Sequence, residues 1–291
     1  ESHFMAGFSG GRKSICPGLV DRTTIEQFHG PAFLENPAAD NLILDGNPCH
    51  DEALRVARSV GVDFIVNVTV DAHFRITGIY AGDLEKAHLR ASIEAGQEAA
   101  LPIDRAYDVV LTHGGSVGRP HYQAAKAAVG ALPAVGKGGT LIIVANNDDP
   151  DPVGTPEYRT LLHLLKIQGP DGYAALLRSP SWRFTKDQWE PQMWGKVIRR
   201  VGEDNLIYCA PQIPLGASQT IPGLSGHTFI DHDPERLPLE TARTMVEKAL
   251  YGVANRVLTG KGRSPSVAYI ADGPYAVPVR RPWSPGRDAL R

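Results

Sequence analysis

Apolar positions along this chain switch between two periods. In residues 47–61, NPCHDEALRVARSVG, an Asn-Pro start and an acidic pair precede Ala53, Leu54, Val56 and Ala57 on one side. That pattern predicts a helix with an ordinary N-terminus. Residues 84–101, LEKAHLRASIEAGQEAAL, predict a second, longer amphipathic helix. Between them, 62–71 (VDFIVNVTVD) reads as a β-branched strand and 76–83 (ITGIYAGD) as the returning arm of a hairpin. Residues 41–46, NLILDG, read as a short strand and a turn.

From residue 106 the rhythm changes. Near-continuous apolar runs at 106–115, 138–146 and 205–211 alternate with helical stretches at 120–132, 156–165 and 185–201. Thr185 with Gln188 three residues on reads as a helix cap. A further helix (237–252) and strand (266–279) follow, and the last dozen residues carry no periodicity and are expected to be loose. Alternating strands and helices predict an α/β fold with a parallel sheet covered on both faces. Ligands in such folds bind beyond the carboxyl ends of the strands. The segments THGGS and ANNDDPDP fall there.

Composition narrows the classes. Thirty basic and 32 acidic residues in 291 give a formal net charge of −2, which offers no support for a nucleic-acid partner. Cys16, Cys49 and Cys209 lie far apart and read as reduced thiols of a cytoplasmic protein. No apolar run is long enough to span a membrane, and the first residues lack a signal peptide's apolar core. The chain starts almost directly on SHFMAGFSGGRKS, so it is expected to be the back part of a longer protein.

Several segments could carry chemistry. GFSGGRKS is too short between its glycines and lysine for a Walker loop. Exposed N–H groups of Gly10 and Gly11, with Arg12 and Lys13 beside them, would suit a phosphate or carboxylate. A plain basic surface turn is the competing reading. A lysine fixed in a tight loop can also bond covalently to a cofactor. His88 reads as a surface or interface residue. In a helix through HYQAAK, Tyr122 and Lys126 share a face with Gln123 beside them, which suits an anionic substrate with a hydroxyl or carbonyl oxygen. A solvated helix face accounts for the pattern equally well. The acidic loop ANNDDPDP could hold Mg²⁺ or simply be a solvated turn. Trp182, Trp189 and Trp194 cluster, and one could wall a site rather than fill a core.

The strings HFMAGFSGGRKSICPG, TTIEQFHG, GNPCHDE, AGD, YQAAK and DQW together resemble the nickel-dependent lactate racemase family, which includes racemases and epimerases of 2-hydroxy acids. The resemblance runs to VAYIADGPYAVP. It implies a nickel pincer nucleotide, a nickel(II) pyridinium-3,5-bisthiocarboxylic acid mononucleotide covalently linked to Lys13, with Gly10 and Gly11 in its cradle. His29 matches the family's metal ligand and His3 one of its two catalytic histidines. Tyr122, Gln123 and Lys126 match substrate-site residues, Lys126 also balancing charge during catalysis. Trp189 matches a tryptophan near the cofactor, with Trp182 and Trp194 as alternatives.

The implied fold has two α/β domains with mixed and parallel sheets and an active site in the cleft between them. One would comprise 1–100 plus 235–291, the other, Rossmann-like, 101–234. The implied reaction removes the substrate's C2 hydrogen as a hydride while a histidine takes the hydroxyl proton, then returns it to either face. Implied partners are a small 2-hydroxy acid and the proteins that make the cofactor and insert nickel. In family members a long stretch precedes this motif and supplies the second histidine and arginine contacts. A non-catalytic nucleotide- or anion-binding module, or a degenerate homologue, is the alternative.

Overall fold

The computed structural model describes residues 1–71 and 73–284. It opens with a minimal antiparallel pair, β1 (Ser2–His3) and β2 (Gly7–Phe8), with His3 opposite Gly7. At Gly7 φ is +74°, and a Cβ there would sit 2.1 Å from the Ile43 carbonyl oxygen, so only glycine fits. A single 3-10 turn, Gly11–Ser14, follows. Helix α1 (Arg22–Phe28) starts where the Asp21 carboxylate accepts the Thr24 N–H at 2.8 Å, and α2 (Pro31–Leu34) is one turn. Helix α3 (Pro48–Val60) is capped by Asn47, whose Oδ1 accepts the N–H groups of Cys49 and His50.

The hairpin is present as β3 (Ile65–Val70) and β4 (Ile76–Gly82), paired antiparallel. Helix α4 (Leu84–Ala99) packs on it and buries Ala87, His88, Ala91, Ala95 and Ala99, a 3–4 spacing of mostly small side chains, with Ala95 and Ala99 meeting Phe8, Leu42 and Val277. Its end runs into β5 (Ala100–Pro102). Residues 41–46 form no strand. Asn41 makes only an isolated bridge to Gly7, and Leu42 turns the chain with a positive φ.

The second region holds β6 (Tyr107–His113), α5 (His121–Ala131), β7 (Val135–Val144), α6 (Pro156–Leu177), α7 (Trp189–Val201), β8 (Leu206–Cys209), α8 (Leu215–Ser218), β9 (Leu224–Ser225), α9 (Pro238–Lys261) and β10 (Val267–Tyr269). Five parallel strands stand in the order β10-β6-β7-β8-β9. Val109, Ile142, Ile207 and Cys209 alternate onto one face and pack on Met245, Ala249 and Val253 of α9. Tyr208 points to the other face, where it meets His121 of α5 and Trp194 of α7. Both faces are therefore covered, as the α/β reading requires. Helix α6 runs beyond the expected 156–165, kinked where Gly169 has φ +66° before Pro170. Helix α7 starts at Trp189 rather than 185, because Asp187 turns the chain with φ +64°.

The strand expected over 266–279 is broken in two. After β10 the chain turns and forms β11 (Val277–Val279), which pairs parallel with β5. Contacts divide the chain into one unit of Glu1–Pro102 with Tyr275–Arg291 and another of Ile103–Pro274. Residues 235–274, expected with the first unit, thus belong to the second. The reason is packing: α9 closes one face of its sheet and β10 extends its edge. The tail is not loose at Trp283, whose Nε1 donates to the Leu42 carbonyl at 3.2 Å and whose ring packs with Phe8. The end of that expectation, 285–291, lies outside the described residues. Among the described residues no helix is long and apolar enough to cross a membrane.

Candidate functional site

The residues expected to carry chemistry fall into two groups, one in each unit. In the first unit, β1 and the 3-10 turn bring His3 and Lys13 together, with Nε2 and Nζ 2.7 Å apart. The His3 Nδ1 accepts the N–H groups of Met5 and Ala6, both at 3.3 Å. Positive φ at Gly10 (+78°) and Gly11 (+51°) makes the turn that presents Lys13. A Cβ on Gly11 would meet the His88 ring at 2.9 Å.

The turn differs from an open anion cradle in two respects. The Gly11 N–H is already taken by Asn67 Oδ1, 3.1 Å away. Arg12 does not face solvent; it is 1 % exposed. Its Nη2 donates to the Ala6 carbonyl at 2.9 Å and its Nη1 to the Gly10 carbonyl at 3.4 Å, and Nη1 also touches His88 Nε2. Burial lowers its pKa to about 9. His88, expected on the surface, is buried and stacks beside His50.

His29 closes α1 as its C-cap residue, half-buried. Burial holds its imidazole neutral, with a pKa of about 4. Lys13 lies close enough that an ammonium there would lower it further, so His3, Lys13 and His29 share one neighbourhood. Among the described residues no three or more His, Cys, Asp or Glu side chains are grouped to hold a metal. A metal bound here would draw most donors from a bound organic group, and a neutral histidine is the form that ligates.

In the second unit, α5 begins beyond the carboxyl end of β6. Asn147 fixes the approach: its Nδ2 donates to the carbonyls of Gly118 (2.9 Å) and Arg119 (2.7 Å), and its Oδ1 accepts from the Tyr208 hydroxyl (2.9 Å). His121 is fully buried, stacked on Trp194 at 4.7 Å, with Nδ1 3.1 Å from the Tyr158 hydroxyl. Tyr122, Gln123 and Lys126 follow, each half-buried. The Tyr122 ring lies edge-on to Tyr158, and Gln123 Oε1 is buried without a hydrogen-bond partner among the described residues.

Helix α7 packs against α5 and starts with Trp189, half-buried, and Glu190, fully buried. Neither Glu190 oxygen has a hydrogen-bond partner among the described residues. Burial raises its pKa well above the carboxylate range, and the Lys126 ammonium pulls the other way. Of the other tryptophans, half-buried Trp182 donates to Gln188 Oε1 and fully buried Trp194 to the Tyr158 hydroxyl. The acidic loop is tied up in ion pairs, Asp148 with Arg119 and Asp151 with Arg159. The burial of Arg12, and the places of Glu190, His121 and Asn147, were not anticipated from the sequence. The one available signal was Glu190's place directly after Trp189.

The chain is thus a two-unit α/β protein with a histidine-paired lysine in a glycine turn. The family model described as the lactate racemase N-terminal domain matches residues 1–41. Over 200 residues the chain is 34 % identical to the lactate racemase of Thermoanaerobacterium thermosaccharolyticum and 32 % identical to that of Lactiplantibacillus plantarum. Each match covers 68 % of this chain and 46 % of the relative. The chain superimposes on the lactate racemase apoprotein from Thermoanaerobacterium thermosaccharolyticum with a TM-score of 0.78 and 25 % identity, covering 96 % of this chain and 61 % of that one. A protein from Thermotoga maritima shares the fold, with a TM-score of 0.56 at 17 % identity, covering 96 % of this chain and 64 % of that one. The chain belongs to the lactate racemase family, and its match spans about half the length of these curated relatives.

Proposed function

We propose that this chain carries the greater part of the active machinery of a 2-hydroxy-acid racemase or epimerase acting on a lactate-like substrate. The observation that supports it most is the 2.7 Å contact of Lys13 and His3 in a tight glycine turn, within a chain whose relatives are lactate racemases. The residues also suit the nickel pincer nucleotide. Lys13 would be its covalent anchor, His29 would give nickel its protein donor as a neutral imidazole, and Gly10, Gly11 and Trp189 would flank it.

When bound, that cofactor supplies a reversible acceptor for the hydrogen on the substrate's C2. The chain's own residues do the rest. His3 takes the proton from the substrate hydroxyl and returns it, which suits an imidazole near neutrality. Lys126 compensates the negative charge of the carboxylate and of the oxygen changing its bond order. Tyr122 and Gln123 hold those oxygens by hydrogen bonds. The Gln123 acceptor, buried without a partner among the described residues, could take a substrate hydroxyl.

The test uses protein from cells that make the cofactor. Interconversion of D- and L-lactate is followed by chiral analysis, with nickel measured on the same samples. His29→Ala should lose nickel and activity together. His3→Ala should keep nickel and lose activity by roughly 10²–10⁴-fold. Normal nickel in His29→Ala with lost nickel in His3→Ala overturns the assignment of roles.

A further inference from the structure

A neutral imidazole has one N–H and one lone pair. In His3, Nδ1 faces two backbone donors, the N–H groups of Met5 and Ala6, each at 3.3 Å. The lone pair therefore lies on Nδ1 and the ring proton on Nε2. An imidazolium would point an N–H at both of those N–H groups, so it does not fit either. Nε2–H is then the donor in the 2.7 Å contact with Lys13, and Lys13 Nζ must accept. An ammonium has three donors and no lone pair.

We infer that, before anything is attached to it, Lys13 stands as a neutral amine held by the Nε2–H of His3, and that His3 is thereby a positioning residue for acyl transfer to Lys13. The proposal deepens the reading above, by assigning the state of the anchoring lysine. Its surroundings agree. The neighbouring guanidinium of Arg12 is buried, and among the described residues no carboxylate pairs with it. A second cation one residue on would add like-charge repulsion.

The electrophile that suits such an amine is a carboxyl or thiocarboxyl carbon bearing a leaving group. The Nζ lone pair forms the new C–N bond, the bond to the leaving group breaks with its electron pair, and one Nζ proton departs with that group. With a free thio-acid, the products are a thioamide and water, and nothing is oxidised or reduced. The hydrogen bond from His3 is to a neutral donor, so it gives way to the incoming carbon without moving a charge.

The test needs neither cofactor nor racemisation. The 291-residue chain is treated briefly with limiting N-acetoxysuccinimide between pH 6.5 and 9, and acetylation at each lysine is read by peptide mass spectrometry. Exposed Lys137 and Lys248 serve as internal references. Their rates should rise about tenfold per pH unit, as for ordinary ammonium groups. Lys13 should react at least about tenfold faster than they do at pH 7, with a nearly flat pH profile. His3→Phe, if folded, should bring Lys13 back to the profile of the references. A wild-type Lys13 rate that climbs in parallel with Lys137 overturns the proposal, whatever the variant does. Flat Lys13 kinetics in a protein that never racemises a 2-hydroxy acid would instead sink only the racemase reading.

Discussion

Arg12 donates through Nη2 to the carbonyl oxygen of Ala6 at 2.9 Å, from a position closed to solvent. A second donation, to Gly10, ties the strand pair that carries His3 to the turn that carries Lys13. A lysine would have to meet both carbonyls from a single nitrogen, without the two separate donors that the planar guanidinium holds in place. Arg12→Lys is therefore expected to cost about 2–3 kcal/mol in urea unfolding. It should also slow the acetylation of Lys13, since the turn is no longer held. A loss under about 0.5 kcal/mol, the usual size of a surface change, would show that the guanidinium does not brace the turn.

Glu190 and Lys126 give a second test. The folded-state pKa of Glu190 lies above its ordinary value of 4.5 because it is buried. Its cost to folding is thus absent below pH 4.5 and grows as pH rises above it. Glu190→Gln should stabilise the protein at pH 8 by about 1–3 kcal/mol and change little at pH 4. Lys126→Met should destabilise it at pH 8, and adding Glu190→Gln should restore the loss. Melting temperatures of the two single variants and the double variant decide this, and strictly additive effects would exclude the coupling.

Buried histidines set the acid limit. Burial holds His88 at a pKa of about 2, His121 and His50 at about 3 and His29 at about 4. All lie below the unfolded value of 6.5, so the unfolded chain binds protons first. Stability should be complete above pH 6.5 and fall as pH drops toward 4, by up to about 1.4 kcal/mol per pH unit for each titrating group. Carboxylates such as Asp108, held low by Arg263, act only at lower pH. A melting temperature unchanged between pH 7 and pH 5 contradicts this account.

Two glycines with nearly equal φ should behave differently. Gly7 (φ +74°) leaves no room for a Cβ against the Ile43 carbonyl, whereas a Cβ at Gly61 (φ +80°) meets nothing within 4 Å. Gly61→Ala is expected to cost about 1 kcal/mol, from backbone conformation alone. Gly7→Ala should cost at least about 3 kcal/mol, because backbone must move as well. Equal denaturation midpoints for the two variants would mean that the loop at Ile43 yields freely.

The two periods, 3.6 and 2, were readable where neighbours in sequence decide the outcome. Asn47 caps a helix at the expected Asn-Pro start, the next helix begins at Leu84 as expected, and the hairpin arms fall within 62–71 and 76–83. The candidate residues came from a motif, which carries His3, Lys13 and His29 in one unit and Tyr122, Gln123, Lys126 and Trp189 in the other. What stayed hidden depends on distant partners. Arg12 and Glu190 look like surface charges in sequence. Their burial is set by His88 in one case and by α5 in the other, both far along the chain. The end of the second unit was hidden for the same reason, since Val267 pairs with Val109 and nothing local announces it.

The parallel pairing of β5 with β11 also bears on the order of folding. Residues 103–274 all lie between these two short strands, so the pair can form in a disordered chain only by closing a very long loop. The entropy of closure grows with the logarithm of loop length, and three residue pairs return little against it. Once the inserted sheet has collapsed, its ends are tethered and the effective loop is short. The second unit should therefore fold first and recruit β11, with Val277 and Trp283, into a first unit that is completed last. Amide exchange on refolding would then protect Ile142 and Ile207 before Val277.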